Sequence, residues 1–157
     1  MSEFRIVVVE EDDLNDLLRL MQAYCDFYDV APPDSDLLGL SRALIADHEA
    51  EGVQLLARAT DGAPVGFASV FWSWSTTAGA RIGTMNDLFV TPAARRSGLA
   101  DELIAACVER CRLRTGVARL EWQTATDNRV AQRVYERAGA RQSEWIDYSL
   151  DIGPGSR

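Results

Sequence analysis

Hydrophobic positions along the chain follow two different periods, and the change of period separates predicted strands from predicted helices. Short β-branched and aromatic runs bounded by turn residues predict strands, whereas apolar residues three and four positions apart predict amphipathic helices. Strands are predicted at 4–9, 53–59, 64–74, 81–90 and 117–124, with a last strand or pair of strands at 141–152. Helices are predicted at 11–28, 34–45, from 101 to the glycine at 116, and at 128–138.

The order of these elements predicts the fold class. Two helices follow the first strand, a hairpin occupies the middle, and two strand–helix units complete the chain. Asp61-Gly62 predicts that the hairpin turns with type I′ geometry. This order favours an α/β (α+β) fold with a mixed, mostly antiparallel central sheet flanked by helices. The length of 157 residues suits a single domain, here 1–152, followed by a flexible C-terminal tail at 153–157.

Composition narrows the classes of partner. The net charge is −8 and the isoelectric point about 4.6, which argues against nucleic acid because that affinity depends on Lys and Arg. The same charge slightly favours a cationic substrate. The N-terminal residues lack a signal-peptide pattern, and no apolar run approaches the ~20 residues of a membrane span. We therefore expect a cytoplasmic protein with no membrane partner.

Cysteine and histidine positions give no reason to expect a metal. Cys25, Cys107 and Cys111 form no C-x-x-C pair, and the last two lie one turn apart on the apolar face of the long helix. Free cysteine packs as a small hydrophobic residue, so core positions are predicted for that pair. His48 is the only histidine and is expected to be solvated near a helix end.

The junction between the strand at 81–90 and the following helix carries the strongest candidate chemistry. Arg95 and Arg96 supply positive charge, and Gly98 allows a ligand to approach the backbone. The first helical turn presents unpaired N–H groups at the positive end of the helix dipole. These features predict a site for an anion such as pyrophosphate, although a solvated turn fits the same residues. Neither a P-loop nor a G-x-G-x-x-G motif is present.

A second pattern lies on the predicted helix at 128–138. Asn128, Ala131, Tyr135 and Gly139 follow the spacing N-x-x-A-x-x-x-Y-x-x-x-G. Residues three and four apart are neighbours on a helix, so part of this set shares one face. Taken alone, a helix N-cap and an amphipathic core tyrosine are the simpler interpretation.

In this order and setting, the two patterns together resemble those of the GNAT N-acetyltransferase superfamily. The family's V-x-P strand end and its [RQ]-x-x-G-x-[GA] turn are matched by Val90, Pro92, Arg95, Gly98 and Ala100. The resemblance spans about 66–140 and implies a sheet with a splayed strand pair, acetyl-CoA as co-substrate, and direct attack of an amine in a ternary complex. Members are often dimers, so a homodimer is also expected. The cofactor-binding residues implied are Leu88, Phe89, Val90, Arg95, Arg96, Ser97, Gly98, Leu99, Ala100, Asp101, Asn128 and Ala131.

Candidate catalytic residues come from a closer resemblance. The strand M-N-D-L-F-V at 85–90 is similar to the L-E-D-x-[FY]-V strand of polyamine and diamine acetyltransferases, with Asn86 in place of their glutamate base and Asp87 retained. This similarity implies that Asp87 recognises or deprotonates the amine beside Asn86. It also implies that a main-chain N–H at 88–90 donates to the thioester oxygen and that Tyr135 protonates the leaving thiolate. Strand alternation separates Asn86 from Asp87 unless a bulge intervenes. Glu144 and Asp147 are further candidates for the acceptor mouth.

Several alternatives accompany these expectations. The resemblance favours a small cationic amine as acceptor, while a protein N-terminus, a lysine, an antibiotic amine, or a non-catalytic CoA sensor are the other functions considered. Trp72 and Trp74 share one face of a predicted strand and suit either an amine pocket or contact with a second subunit. An arginine stripe at 129, 133 and 137 suits a solvated helix face, with Arg133 as a candidate for the ribose phosphate.

Overall fold

Residues 2–153 of the chain are described by a computed structural model, in which five strands build one sheet with helices on both faces. The strands are β1 (Phe4–Val8), β2 (Gly52–Ala59), β3 (Pro64–Ser75), β4 (Ala80–Val90) and β5 (Val117–Glu121). The helices are α1 (Leu14–Phe27), α2 (Asp34–Ala46), α3 (Leu99–Leu113) and α4 (Arg129–Arg137), and short 3₁₀ turns occupy Glu11–Asp13 and Pro92–Ala94. The predicted mixed α/β fold is confirmed.

The strands lie in the order β1-β2-β3-β4-β5, so every strand pairs with its neighbour in sequence. The first four are antiparallel to one another, and β5 runs parallel to β4 because α3 carries the chain back across the sheet. The sheet is therefore mostly antiparallel, as expected. Its last strand, β5, forms one edge.

Alternating side chains on β3 divide the core into two parts. Phe67 packs with Leu17 of α1 on one face, whereas Val70 packs with Leu103 and Cys107 of α3 on the other. Burial raises the pKa of the Cys107 thiol to about 12. The predicted core role of this cysteine is confirmed, and α3 is fixed against the sheet next to the end of β4.

A glycine in β3 allows α3 to approach the sheet closely. A Cβ atom at Gly66 would lie 2.8 Å from the carbonyl oxygen of Phe89 and 3.3 Å from methyl groups of Leu99 and Leu103. Gly66 also pairs with Val90, the last residue of β4. The contact therefore sets the position of the first turn of α3 relative to the end of β4.

The hairpin between β2 and β3 differs from its predicted geometry. Gly62 has a φ of 87°, but Asp61 does not share the positive φ that a type I′ turn requires. Four residues connect the strands, as the predicted strand bounds imply, and the Ala59 N–H closes the loop on the Ala63 carbonyl at 2.9 Å. The Asp61 carboxylate accepts the Ala63 N–H at 3.0 Å, which satisfies the longer loop.

The prediction of a strand or strand pair at 141–152 is wrong for the structure of the single chain. These residues have no regular secondary structure and are exposed, and the strand predicted at 117–124 ends early at Glu121. Gly139, with a φ of 90°, ends α4 and directs the chain away from the sheet. The predicted tail at 153–157 lies, apart from Gly153, outside the described residues. None of the helices within 2–153 is both long and apolar enough to span a bilayer.

Candidate active site

The sheet opens between β4 and β5. Their parallel pairing ends at Thr84 and Glu121, whereas β4 continues to Val90. Residues 85–90 therefore have a neighbour on the β3 side but none on the β5 side. The expected splayed strand pair is present, and backbone polar groups of β4 line the opening.

Backbone alternation identifies the groups that face this opening. The N–H of Thr91 donates to Val65 at 2.9 Å and therefore points toward β3. N–H groups of adjacent strand residues point in opposite directions, so those of Leu88 and Val90 face the gap. The Val90 carbonyl also points there and accepts from the Arg95 guanidinium at 3.3 Å. The gap thus presents two N–H donors.

A β-bulge brings the two candidate acceptor residues together. Ser69 of β3 lies opposite Asp87, and the next residue, Val70, lies opposite Met85, so Asn86 is the extra residue. The Asn86 side-chain amide donates to the Asp87 carboxylate at 3.0 Å. The bulge thus overrides the alternation that would otherwise place these side chains on opposite faces.

The Asp87 carboxyl group lies on the α1 face of the sheet in a polar network. Burial raises its pKa above the ordinary range, and the neighbouring Ser69, Tyr24 and Asn86 side chains partly oppose that shift. Ser69 is itself buried and accepts a hydrogen bond from the Gln54 amide at 3.1 Å. Burial therefore destabilises the ionised form of Asp87, and the neighbouring polar side chains partly stabilise it. Such a balance is typical of groups that exchange protons.

Tyrosines of α1 and its C-terminal end form the rim above this carboxyl group. The rings of Tyr24 and Tyr28 pack edge to face with centroids 5.0 Å apart, and Phe27 continues the cluster at 5.1 Å from Tyr28. The Tyr24 hydroxyl donates to the Asn86 carbonyl at 3.4 Å. Burial and the charge of Asp87 raise the pKa of Tyr24, so this phenol stays protonated at neutral pH.

Tyr135 lies on α4, with its ring against Trp122 at a centroid distance of 5.2 Å. Burial raises the pKa of its phenol, the nearby Thr124 hydroxyl opposes the shift, and Tyr28 adds to it. Tyr28 contributes to the raised pKa of both Tyr24 and Tyr135. The phenol of Tyr135 therefore stays protonated at neutral pH.

The turn after β4 keeps its backbone open. Gly98, with a φ of 86°, is the N-cap of α3, and a Cβ there would meet nothing within 4 Å. The first intrahelical bond runs from the Glu102 N–H to the Gly98 carbonyl at 3.1 Å. Among residues 2–153, the N–H groups of Ala100 and Asp101 have no recorded partner, as expected for the first turn of a helix.

The remaining residues of this turn have distinct roles. Arg96 adopts a φ of 63°, which is uncommon for a residue other than glycine. Ser97 donates from its hydroxyl to the Ala94 carbonyl at 2.6 Å and accepts the Leu99 N–H at 3.4 Å. The Leu99 side chain is buried in the core. Open backbone and two arginines make this turn fit a phosphate group.

Part of the pattern on α4 has a structural role, and an ion pair joins this helix to the first turn of α3. Asn128 caps the helix, since its side-chain oxygen accepts the Ala131 N–H at 3.2 Å. Arg137 forms a 2.9 Å ion pair with Asp101, which ties α4 to α3. Arg133 is exposed and Ala131 half-buried.

Other predicted candidates lie elsewhere. Trp72 is buried on the α3 face, where its indole N–H donates to the His48 carbonyl at 2.7 Å. Trp74 lies under Arg81 at the opposite end of β4 from Asp87. Neither tryptophan lines the candidate acceptor region, and Glu144 and Asp147 are exposed on the segment at 141–152. Within residues 2–153, no acid, cysteine and histidine cluster suited to a metal ion is found.

Tyr24, Ser69 and Gln54 were not predicted as site residues. A signal for two of them exists in the sequence, because Gln54 and Ser69 interrupt the apolar runs of buried strands. A polar residue at such a position usually has a buried partner. Its partner here is fixed only by the β2–β3–β4 register, which the sequence pattern does not specify.

The raised pKa of the half-buried Asp87 carboxyl group implies a pH-dependent cost to stability. A carboxyl pKa raised by folding destabilises the fold above that pKa, and the cost disappears as pH falls toward the unfolded value of about 3.9. We expect Asp87→Asn to increase the free energy of unfolding at pH 7, with the gain shrinking steadily toward pH 4. Urea unfolding across this range measures the difference.

The matched control is Asp127→Asn, which removes the same charge at an exposed position. Its stability difference from the parent chain is expected to show no comparable trend. A destabilised Asp87→Asn protein at pH 7, or a gain that stays constant from pH 7 to pH 4, would contradict this account of the buried carboxyl group.

Comparison with known proteins places the chain among acetyltransferases. The profile of the acetyltransferase (GNAT) family matches residues 17–140. The uncharacterized N-acetyltransferase YhfO of Bacillus subtilis is 31% identical over 134 residues, covering 85% of this chain and 87% of that protein. The thialysine N-epsilon-acetyltransferase of Caenorhabditis elegans is 26% identical over 155 residues, covering 96% and 94%. The crystal structure of a probable acetyltransferase superimposes with a TM-score of 0.82 at 30% identity, covering 96% of this chain and 99% of the other.

Proposed function

The chain belongs to the GNAT family of N-acetyltransferases, and on that premise we propose that it acetylates the primary amine of a small cationic molecule. The observation that carries this proposal is the Asp87 carboxyl group, half-buried with a raised pKa beside the open end of β4. It lies next to the N–H groups that face the gap. This arrangement supports an acceptor carboxylate next to the proposed thioester site.

The acceptor side suits a protonated amine. An alkyl amine has a pKa near 10.4 and must lose a proton before it attacks a thioester. Ionised Asp87 attracts the cation, and its raised pKa makes it a better base than an exposed aspartate. The rings of Tyr24 and Tyr28 offer faces and edges that suit a cation. The relative from Caenorhabditis elegans is a thialysine N-epsilon-acetyltransferase, which acts on an amine of a small molecule.

The donor side suits acetyl-CoA, the co-substrate of this family. Arg95, Arg96 and the free N–H groups at Ala100 and Asp101 would hold the pyrophosphate, because each directs positive charge to one concave turn. An N–H of Leu88 or Val90 would then donate to the thioester oxygen as negative charge develops there. One such donor is typically worth about 3 kcal/mol to the transition state.

Proton release completes the reaction. Departure of the thiolate, whose pKa as a free thiol is near 8.5, is assisted by a proton from a nearby acid. Tyr135 is proposed for this role because burial keeps its phenol protonated and α4 holds its ring against Trp122, the residue that follows β5. Asp87 and Tyr135 therefore have opposite roles, one accepting a proton and the other donating it.

An amine panel tests the proposed acceptor class. Thiol release from acetyl-CoA is measured with diamines, free amino acids that carry a side-chain amine, an aminoglycoside, and peptides with a free N-terminus or lysine. We expect turnover with small cationic amines and a mass gain of one acetyl group in the product. Asp87→Asn should lower kcat/KM by about 10²- to 10⁴-fold, whereas the exposed Asp127→Asn should leave it unchanged.

Other outcomes of the panel separate the alternatives. Turnover confined to peptides or to the aminoglycoside would show that one of these, and not a diamine or an amino acid, is the acceptor. Binding of acetyl-CoA without turnover on any amine would favour a sensor that does not catalyse transfer. Equal activity of the Asp87→Asn and parent proteins would show that the Asp87 carboxyl group has no role in the reaction.

Tyr135→Phe tests the proton donor. Removal of the hydroxyl is expected to lower kcat roughly ten- to a thousand-fold, because the thiolate then leaves without its acid. Affinity for acetyl-CoA, measured by calorimetry, should barely change because the ring still packs on Trp122. Tyr148→Phe, which alters an exposed ring, serves as control. A loss of affinity as large as the loss of kcat would assign Tyr135 to cofactor contact.

A further inference from the structure

Three polar side chains lie in one row across the α1 face of the sheet. Gln54 of β2 is directly opposite Ser69 of β3, and Ser69 is directly opposite Asp87 of β4. Residues directly opposite on neighbouring strands present their side chains on the same face and within contact distance. The row therefore connects two fully buried positions to the candidate acceptor carboxyl group.

The inner end of this row is a side chain whose burial is costly. Gln54 is only 2% exposed, and its Nε2 atom donates to Ser69 Oγ at 3.1 Å and to the Met21 sulfur at 3.6 Å. Within residues 2–153, the buried Oε1 atom of Gln54 has no hydrogen-bond partner. Because an unpaired buried carbonyl destabilises the fold, an apolar side chain of similar size would suit a purely structural position better.

Gln54 fixes the direction of the Ser69 hydroxyl. A serine hydroxyl carries one proton and rotates to suit its partners. Since Ser69 Oγ accepts the Gln54 N–H, its own proton is directed to another acceptor. Asp87 is that acceptor, because it lies opposite Ser69 and the hydroxyl acts to lower the pKa of its carboxyl group. A hydrogen bond donated to the ionised carboxylate has this effect.

The row does not carry a proton away from Asp87. Beyond Ser69, the Gln54 amide donates to the Met21 thioether, a weak acceptor that bears no proton. A proton taken up by Asp87 therefore leaves on the outer side of the carboxyl group, toward the exposed Asn86. What Gln54 and Ser69 can change is the ionisation and orientation of the carboxylate.

We infer that Gln54 is a positioning residue, which acts through the Ser69 hydroxyl to hold the Asp87 carboxylate ionised and in one orientation. The inference rests on the acetyl transfer proposed above, in which Asp87 accepts the proton of the amine. Ser69 transmits the effect because it accepts a hydrogen bond from one neighbour and donates one to the other. The unpaired Gln54 carbonyl is the structural cost of this arrangement.

The other groups that face Asp87 come from α1 and from its own strand. Burial, together with the charge of Asp87, raises the pKa of Tyr24 and of Cys25, so both stay neutral at pH 7. The Asn86 amide donates to the carboxylate at 3.0 Å. Within residues 2–153, no arginine forms an ion pair with Asp87. A change in the pKa of Asp87 therefore reports its hydrogen bonds.

The test measures the pKa of Asp87 by carboxyl-carbon NMR on the full chain without substrate, with Asp87→Asn identifying the signal. Ser69→Ala removes the donated hydrogen bond and should raise this pKa by about one pH unit, a roughly tenfold higher proton affinity. Gln54→Met keeps the size of the side chain and should raise the pKa by a smaller amount. The double variant should match Ser69→Ala, because Gln54 then has no hydroxyl to act through.

Ser41→Ala is the matched control. Ser41 is as buried as Ser69, but the recorded partner of its hydroxyl is the Met21 sulfur at 3.8 Å. This variant should leave the pKa of Asp87 unchanged. With an amine that turns over, the acid limb of the pH profile of kcat/KM should move to higher pH in Ser69→Ala and Gln54→Met by the same amounts as the NMR values.

The outcomes separate this inference from the proposed function. An Asp87 pKa that is equal in the parent, Ser69→Ala and Gln54→Met proteins would overturn the inference, and so would an equal shift in Ser41→Ala. Additive shifts in the double variant would show that Gln54 does not act through Ser69. NMR values that shift as expected while the kcat/KM profile stays fixed would support the row and refute Asp87 as the base.

Discussion

The early end of pairing between β4 and β5 is the constraint on which the rest of the site depends. Beyond Thr84, β4 keeps only β3 as a neighbour, so its outward N–H groups need another partner. The close packing of α3 over Gly66 then sets the first turn of that helix at the end of the same strand. The junction between β4 and α3 thus sets the positions of both groups of N–H donors, those at the end of the strand and those in the first turn of the helix.

The acceptor side is organised by a second irregularity in the same strand. The bulge at Asn86 places its amide against Asp87, and the β3 register brings Ser69 and then Gln54 into the network. A carboxyl group buried in this way costs stability, which the surrounding polar groups only partly offset. Proteins keep such costs where a proton must be exchanged, and the proposed role of Asp87 accounts for this one.

The sequence predicted the elements and the phosphate-type turn because both depend on local patterns. The spacing from Arg95 to Ala100 and the apolar repeat through Leu103 and Cys107 are readable without tertiary contacts. The bulge at Asn86 was named only as the condition under which Asn86 and Asp87 could lie together. Its presence could not be predicted, because one extra residue does not alter the hydrophobic pattern of the strand in a recognisable way. The segment at 141–152 was predicted as strand from its alternation, but alternation does not specify a pairing partner, and these residues pair with no strand in the structure of the single chain.

Calorimetric titration of coenzyme A into the purified chain tests most directly whether the opening at the end of β4 is a coenzyme site. Binding is expected for the parent protein, with affinity reduced about ten- to a hundredfold in the Arg95→Ala/Arg96→Ala double variant because two charge-assisted contacts to phosphate are lost. Arg112→Ala, which removes an exposed charge at the far end of α3, should bind like the parent. Absence of binding by the parent chain, or equal affinity of the double variant, would contradict the account.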